Sequence, residues 1–146
     1  MIRPATISDL DALEALEAEC FTTESFSRRR LAYLIRDALA EVRVWDEEGV
    51  GGSLILLFRS DSHAARVYDL CVSPRLRGRG IGTELMLVAE RIARGRGCAS
   101  LRLEVRADNE AAGEFYRSLG YVKVKKLPDY YLTGCDGVRM ERALQR

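Results

Sequence analysis

The sequence predicts a single-domain α/β protein, residues 1–146, with a mixed, mostly antiparallel sheet flanked by helices in the order β-α-α-β-β-β-α-β-α-β-β. Three observations carry this. Short blocks of period-two apolar residues alternate with blocks at helical spacing. Three β-rich runs follow one another between Val42 and Val72, the first two joined by a hairpin turn. One strand then runs through a glycine-rich turn straight into a helix. Internal repeats, linkers and low-complexity segments are absent.

The elements follow in order. Ile2 to Ala5 reads as a short strand, and Ser8 with Asp11 resembles a capping box opening a helix with Leu10, Leu13, Leu16 and Cys20 on one face. Ser27 caps a second helix through about Leu39, its apolar face formed by Leu31, Leu34, Ile35 and Ala38, while Arg28, Arg29, Arg30 and Arg36 lie at its start and on its exposed side, reading as a solvated face with a role at the substrate as the alternative. Val42 to Trp45, the turn Asp46 to Gly49, and Gly52 to Phe58 form the hairpin, and Ala64 to Val72 adds a third strand. From Ile81, residues Leu85, Val88, Ala89 and Ile92 mark a helix ended by Gly95 and Gly97. Leu101, Leu103 and Val105 alternate with Arg102, Glu104 and Arg106 in a strand. Asn109 to Leu119 is a helix, and Tyr121 to Leu127 and Val138 to Leu144 are the last strands.

Composition limits the function. With 47% hydrophobic and 31% charged residues the chain is an ordinary globular one. No run of 18 apolar residues occurs, and Met1 to Leu10 lacks an apolar signal core, so a cytoplasmic protein without a membrane partner is expected. Cys20, Cys71, Cys98 and Cys135 form no C-x-x-C pair and His63 is the only histidine, so no metal site is expected and the thiols read as reduced. His63, in the turn-like Ser60 to His63, is a poor candidate for a catalytic triad. A net charge of +1 argues against a dedicated nucleic-acid binder. The charge is nonetheless uneven: six acids face Arg3 between Met1 and Glu24, and eight arginines face three acids between Arg75 and Arg106.

The positive middle contains the most informative stretch, Val72 to Thr83. Glycines let backbone N–H groups approach an anion, and a helix N-terminus adds unpaired donors and about half a positive charge. The dinucleotide fingerprint G-x-G-x-x-G fails, because counted from Gly78 its last position is Thr83. The P-loop fails too, since no lysine precedes Lys123. What remains is R-x-x-G-x-G over Arg77 to Gly82, preceded by a strand and followed by a helix. Here the chain resembles the GNAT acyltransferase superfamily, whose acyl-CoA pyrophosphate signature it matches at every defined position.

From Leu103 to Asn109, through Phe115 to Tyr121 and Tyr130-Tyr131, to Asp136–Met140, the chain resembles the ribosomal-protein alanine N-acetyltransferase group. The likeness covers Tyr68 to Leu144, and Thr22 to Ser27 departs from the Pro-Trp-Ser element usual in that group's acceptor loop. The resemblance implies acetyl-CoA as co-substrate, held by Leu70, Cys71 and Val72, by Arg77, Gly78, Arg79, Gly80, Ile81, Gly82 and Thr83, and by Asn109. It implies Glu104 as base, Tyr116 as proton donor to the thiolate, and Tyr131 at the acceptor. Read without it, Glu104 is either a base on the polar face of its strand or a solvated carboxylate paired with Arg102 or Arg106, Tyr116 a core aromatic and Asn109 a helix cap. An acyl-cysteine route through Cys71 lacks a histidine nearby in the sequence. The activity implied is acetyl transfer to a primary amine in a ternary complex. The acceptor is a peptide N-terminus or a small amine such as a polyamine or amino acid derivative, and the enzyme a monomer or homodimer. The rival reading is a non-catalytic acyl-CoA sensor.

Overall fold

Seven strands pair into one sheet in the order β1-β2-β3-β4-β5-β7-β6. The computed structural model describes residues 1–21 and 26–144. Its elements are β1 (Ile2–Pro4), α1 (Leu10–Cys20), α2 (Arg28–Arg36), β2 (Ala40–Asp46), β3 (Val50–Leu57), β4 (Ala64–Val72), α3 (Ile81–Gly95), β5 (Ser100–Arg106), α4 (Glu110–Ser118), β6 (Val122–Leu127) and β7 (Gly137–Ala143). This is the expected order. Only β4 and β5 pair in parallel, the other five pairings being antiparallel. A parallel pair needs a crossover, and α3 supplies it.

Helices cover both faces. On one side α3 and α4 pack Leu85, Met86, Ala89 and Tyr116 against Leu54, Leu56, Val67, Leu101, Leu103 and Met140. On the other, α1 and α2 pack Leu10, Leu13, Leu31 and Leu34 against Val42, Val44 and Ile55. Central β3 is therefore buried from Gly51 to Leu56 without alternation, as a strand covered on both faces must be. Edge strand β6 is mostly exposed and carries all three lysines of the chain, which discourage edge-to-edge pairing. A buried carboxylate, Glu90 of α3, joins that helix to β7 and to the residue before β6: it accepts from Arg142 Nη1 at 2.8 Å and from the Tyr121 hydroxyl at 3.0 Å.

Two local expectations are corrected. The first helix is not opened by Ser8 and Asp11. A single 3-10 turn, Ile7–Asp9, precedes α1, and Asp9 accepts from the Thr6 N–H at 2.7 Å and from both terminal nitrogens of Arg3 at 2.9 and 2.8 Å. That bidentate ion pair holds the Asp9 carboxyl down at about 2 and fixes the box, Thr6 with Asp9, two residues early. Helix α2 stops at Arg36 rather than Leu39, because Asp37 turns to extended backbone and its carboxylate accepts from the Leu39 N–H at 2.9 Å. The Ser27 cap is present, its hydroxyl accepting from the Arg30 N–H at 3.1 Å.

Candidate active site

The parallel pair is short. It runs only from Ala64 opposite Ser100 to Val67 opposite Leu103, after which β4 and β5 part. Beyond that point β5 stays on β7 as far as Arg106, and β4 stays on β3 as far as Val72. A bulge at the fork explains the divergence: β3 residues Leu56 and Ile55 face Val67 and Asp69, leaving Tyr68 unpaired. The extra residue also flips the strand's parity. Val67 packs on the α3 side, Tyr68 on the α2 side, and Leu70 and Val72 again on the α3 side, while the Cys71 thiol turns to the Leu16 carbonyl of α1 at 3.7 Å. The edge of β4 from Leu70 to Val72 thus faces an opening instead of a strand.

The glycine turn lies at the far end of that opening. Gly78 and Gly80 have φ of +84° and +80°, a left-handed conformation that explains glycine at both positions. A Cβ at either would meet nothing within 4 Å, so the space in front of them is clear. Gly80 is the N-cap of the 15-residue α3 and has no side chain to satisfy its first donors. The first bond back along the helix is from the Glu84 N–H to the Gly80 carbonyl at 3.0 Å, which leaves the amides of Ile81, Gly82 and Thr83 as an uncapped, partly positive end. Arg77 donates to the Val72 carbonyl at 3.2 Å, closing the turn against β4, and Arg79 is exposed. Gly82 sits where a Cβ would come within 3.3 Å of the Phe115 ring. These residues fit a phosphate anion.

Glu104 is the first β5 residue beyond the fork. Its carboxylate is only 4% exposed and its partners are not Arg102 or Arg106. Arg66 Nε donates to Oε1 at 2.6 Å and Arg139 Nε to Oε2 at 3.1 Å. Arg102 is turned to Glu141 at 3.1 Å and Arg106 to Asp108 at 3.0 Å, because β7 and the β5–α4 turn bring those acids closer. Arg66 also donates to the Tyr130 hydroxyl at 3.1 Å, Tyr130 meets Tyr131 edge-on at 5.0 Å, and Arg106 lies 5.6 Å over the Tyr131 ring.

Tyr116 is buried on α4 between Phe115 and Tyr121, with ring centroids at 5.0 and 6.0 Å. Burial first, then the fields of Asp69 and Tyr131, push its hydroxyl well up, so it stays protonated at neutral pH. Asn109 is the N-cap of α4, its side-chain oxygen accepting from the Ala112 N–H at 3.1 Å.

The structure adds residues the sequence reading passed over. Glu17 of α1 and Asp69 of β4 are buried, and Glu17 Oε2 and Asp69 Oδ2 have no hydrogen-bond partner among the described residues. Burial, then the neighbouring Glu17, push the Asp69 carboxyl well above the usual carboxylate range. A signal existed: Glu17 lies on the apolar stripe of its helix with Leu13, Leu16 and Cys20. Beside this pair, the Cys20 sulfur and burial push the Cys71 thiol up, which makes it a poor nucleophile. Among the described residues no group of three potential ligands could hold a metal ion. No helix there is long and apolar enough to cross a membrane. Residues Thr22 to Ser25, most of the departing loop, lie outside the described residues.

Residues 10–121 match the acetyltransferase (GNAT) family. An uncharacterized N-acetyltransferase of Methanocaldococcus jannaschii is 33% identical over 145 residues, 96% of this chain and 89% of that protein. N-alpha-acetyltransferase 30 of Schizosaccharomyces pombe is 40% identical over 70 residues, 48% of this chain, and this chain spans 47% of that relative's length. Among solved structures, Ard1 from Thermoplasma volcanium superimposes with a TM-score of 0.88 at 28% identity, covering 100% of this chain and 98% of that one. The ribosomal-protein-S18-alanine N-acetyltransferase of Escherichia coli shares the fold at a TM-score of 0.88 and 23% identity, over 100% of this chain and 94% of that one.

Proposed function

The chain belongs to the acetyltransferase (GNAT) family, and on that premise we propose that it moves acetyl from acetyl-CoA to a primary amine by direct attack in a ternary complex, with a peptide N-terminal α-amine as acceptor. The observation that carries the reading is the parting of β4 and β5 beyond Val67 and Leu103 beside the uncapped N-terminus of α3. The co-substrate supplies the activated acyl group as a thioester. The amides from Gly78 to Thr83, with Arg77 and Arg79, hold its pyrophosphate. The free edge of β4 at Leu70, Cys71 and Val72 holds the pantetheine arm as an added strand and offers an N–H to the thioester carbonyl. Asn109 spends its side-chain oxygen on Ala112, and its amide nitrogen is left to contact the co-substrate.

Glu104 takes the proton of the incoming ammonium, directly or through one water. Arg66 and Arg139 each occupy one of its oxygens, fixing the carboxylate's direction while each oxygen keeps a second lone pair. A positioned base contributes about 10²-fold to 10⁴-fold. An α-amine, with an ordinary pKa of about 7.7 to 8.0, needs less help than a lysine amine near 10.4. Tyr116, held protonated, donates its O–H to the departing sulfur, and Tyr131 borders the acceptor amine.

The test is thiol release from acetyl-CoA with a panel of free peptides, N-blocked lysine peptides and polyamines, alongside the melting temperature with CoA. Turnover with at least one amine and a CoA-dependent rise in Tm are expected. A raised Tm without thiol release for any amine would make the protein a sensor.

A further inference from the structure

Around Glu104, on the α2 side of the fork, contacts link five more residues into one surface. The Tyr68 ring, left unpaired by the bulge and packed on Phe26, has two guanidinium groups over it, Arg66 at 5.1 Å and Arg30 at 5.7 Å from its centroid, Arg30 also lying 5.6 Å from the Tyr33 ring. Arg66 continues to Glu104 and to the Tyr130 hydroxyl, and Arg139 closes the far side of Glu104. Two guanidinium groups therefore hold the Glu104 carboxylate, and a third, Arg30, lies against the Tyr68 ring beside them. Of the acids in this region, Asp108 is committed to Arg106 and Asp11 to Arg28, while Glu17, which accepts from the Phe26 N–H, and Asp69 are buried. Arg30, exposed at the start of α2, has no ion-pair partner among the described residues, and stacking on a ring leaves its in-plane N–H donors open.

We propose that this surface selects acceptors that carry a carboxylate close to the reacting amine, the amine going to Glu104 and the carboxylate to the donors of Arg30 and Arg66. The inference rests on Glu104 as the group that receives the amine. A flexible guanidinium meets a carboxylate bidentately, and a cationic second residue in the acceptor meets like charge instead. The same chemistry arises from an acidic residue in a peptide N-terminus or from a free acidic amino acid.

The experiment measures kcat/KM for three amidated peptides with free N-termini that differ only in the second residue, Asp, Ser or Lys, and for free aspartate. Wild-type protein should prefer Asp over Lys by about tenfold or more at low ionic strength, with the ratio shrinking in salt. Arg30→Gln should bring the Asp peptide down to the Ser peptide, leaving the Ser peptide rate, the acetyl-CoA Kd and the Tm unchanged. Faster acetylation of free aspartate than of any peptide supports the charge rule and overturns the peptide acceptor. Equal rates for the three peptides, a preference for Lys, or an Arg30→Gln loss equal for all three overturn the charge rule alone. Acetylation of none of these, with a polyamine or blocked lysine peptide taken instead, overturns both.

Discussion

Arg66 Nε lies 2.6 Å from Oε1 of Glu104, and this ion pair bridges the point where β4 and β5 separate. Arg66 stands on the last paired stretch of β4, and Glu104 is the first β5 residue past it, so the fork in the sheet and the orientation of the base have one origin. Glu104→Gln keeps the shape and loses the charge. The acetyl-CoA Kd should stay unchanged while kcat falls by about 10²-fold or more. The defect should shrink as pH rises past the point where the amine deprotonates unaided. A defect constant across pH would assign Glu104 to holding the acceptor instead of taking its proton.

Tyr116→Phe removes one hydroxyl that makes no hydrogen bond among the described residues. The Tm should hardly move, and kcat should fall by about tenfold or more with acetyl-CoA. A thioester with a more acidic thiol needs less protonation of its leaving group, so it should recover most of the rate in the variant. Equal losses with both thioesters would make Tyr116 a packing residue.

Gly80 combines a φ of +80° with open space in front of it, so a side chain there costs backbone strain and obstructs an anion without clashing with protein. Gly80→Val should raise the acetyl-CoA Kd at least tenfold, about 1.4 kcal/mol, and lower stability by roughly 1 to 2 kcal/mol. Gly80→Asn, whose residue tolerates this conformation better, should keep most of the stability. Calorimetric affinity unchanged in a folded Gly80→Val would remove the turn from the CoA site.

Local features were legible in the sequence, and long-range ones were not. The Arg77 to Gly82 turn, the start of α3 at Ile81 and the Asn109 and Ser27 caps depend on neighbours a few residues away, and each stands where the pattern put it. The partners of Glu104 come from residues 38 and 35 positions distant and depend on a bulge that period-two counting cannot register. The same bulge points the Cys71 thiol at α1, so the alternation of β4 does not carry through the site. Asp9 displaced Asp11 in the opening box because Arg3 arrives from β1, a tertiary contact stronger than the local signal.

The buried acid pair makes a separate statement about stability. The Asp69 carboxyl is raised in the folded protein by burial and by Glu17, so the native state binds its proton more tightly than the unfolded chain does. Its contribution is therefore most favourable below the unfolded value, near pH 4, and declines as pH rises toward the raised folded value. Asp69→Asn should raise the Tm at neutral pH, by roughly 2 to 4 °C for each 1 kcal/mol recovered, and the gain should vanish as pH falls toward about 4. A Tm difference independent of pH would show that the two carboxyls are satisfied in solution.

The most direct measurement is to incubate the protein with acetyl-CoA and an equimolar mixture of a free N-terminal peptide, the same peptide blocked but containing lysine, and a polyamine, then to locate the acetyl group by fragment mass spectrometry while counting thiol released. Acetyl on the peptide α-amine, with one thiol freed per acetyl transferred and both abolished in Glu104→Gln, is the expected result. Acetyl only on lysine or polyamine, or thiol release unaffected by Glu104→Gln, would contradict it.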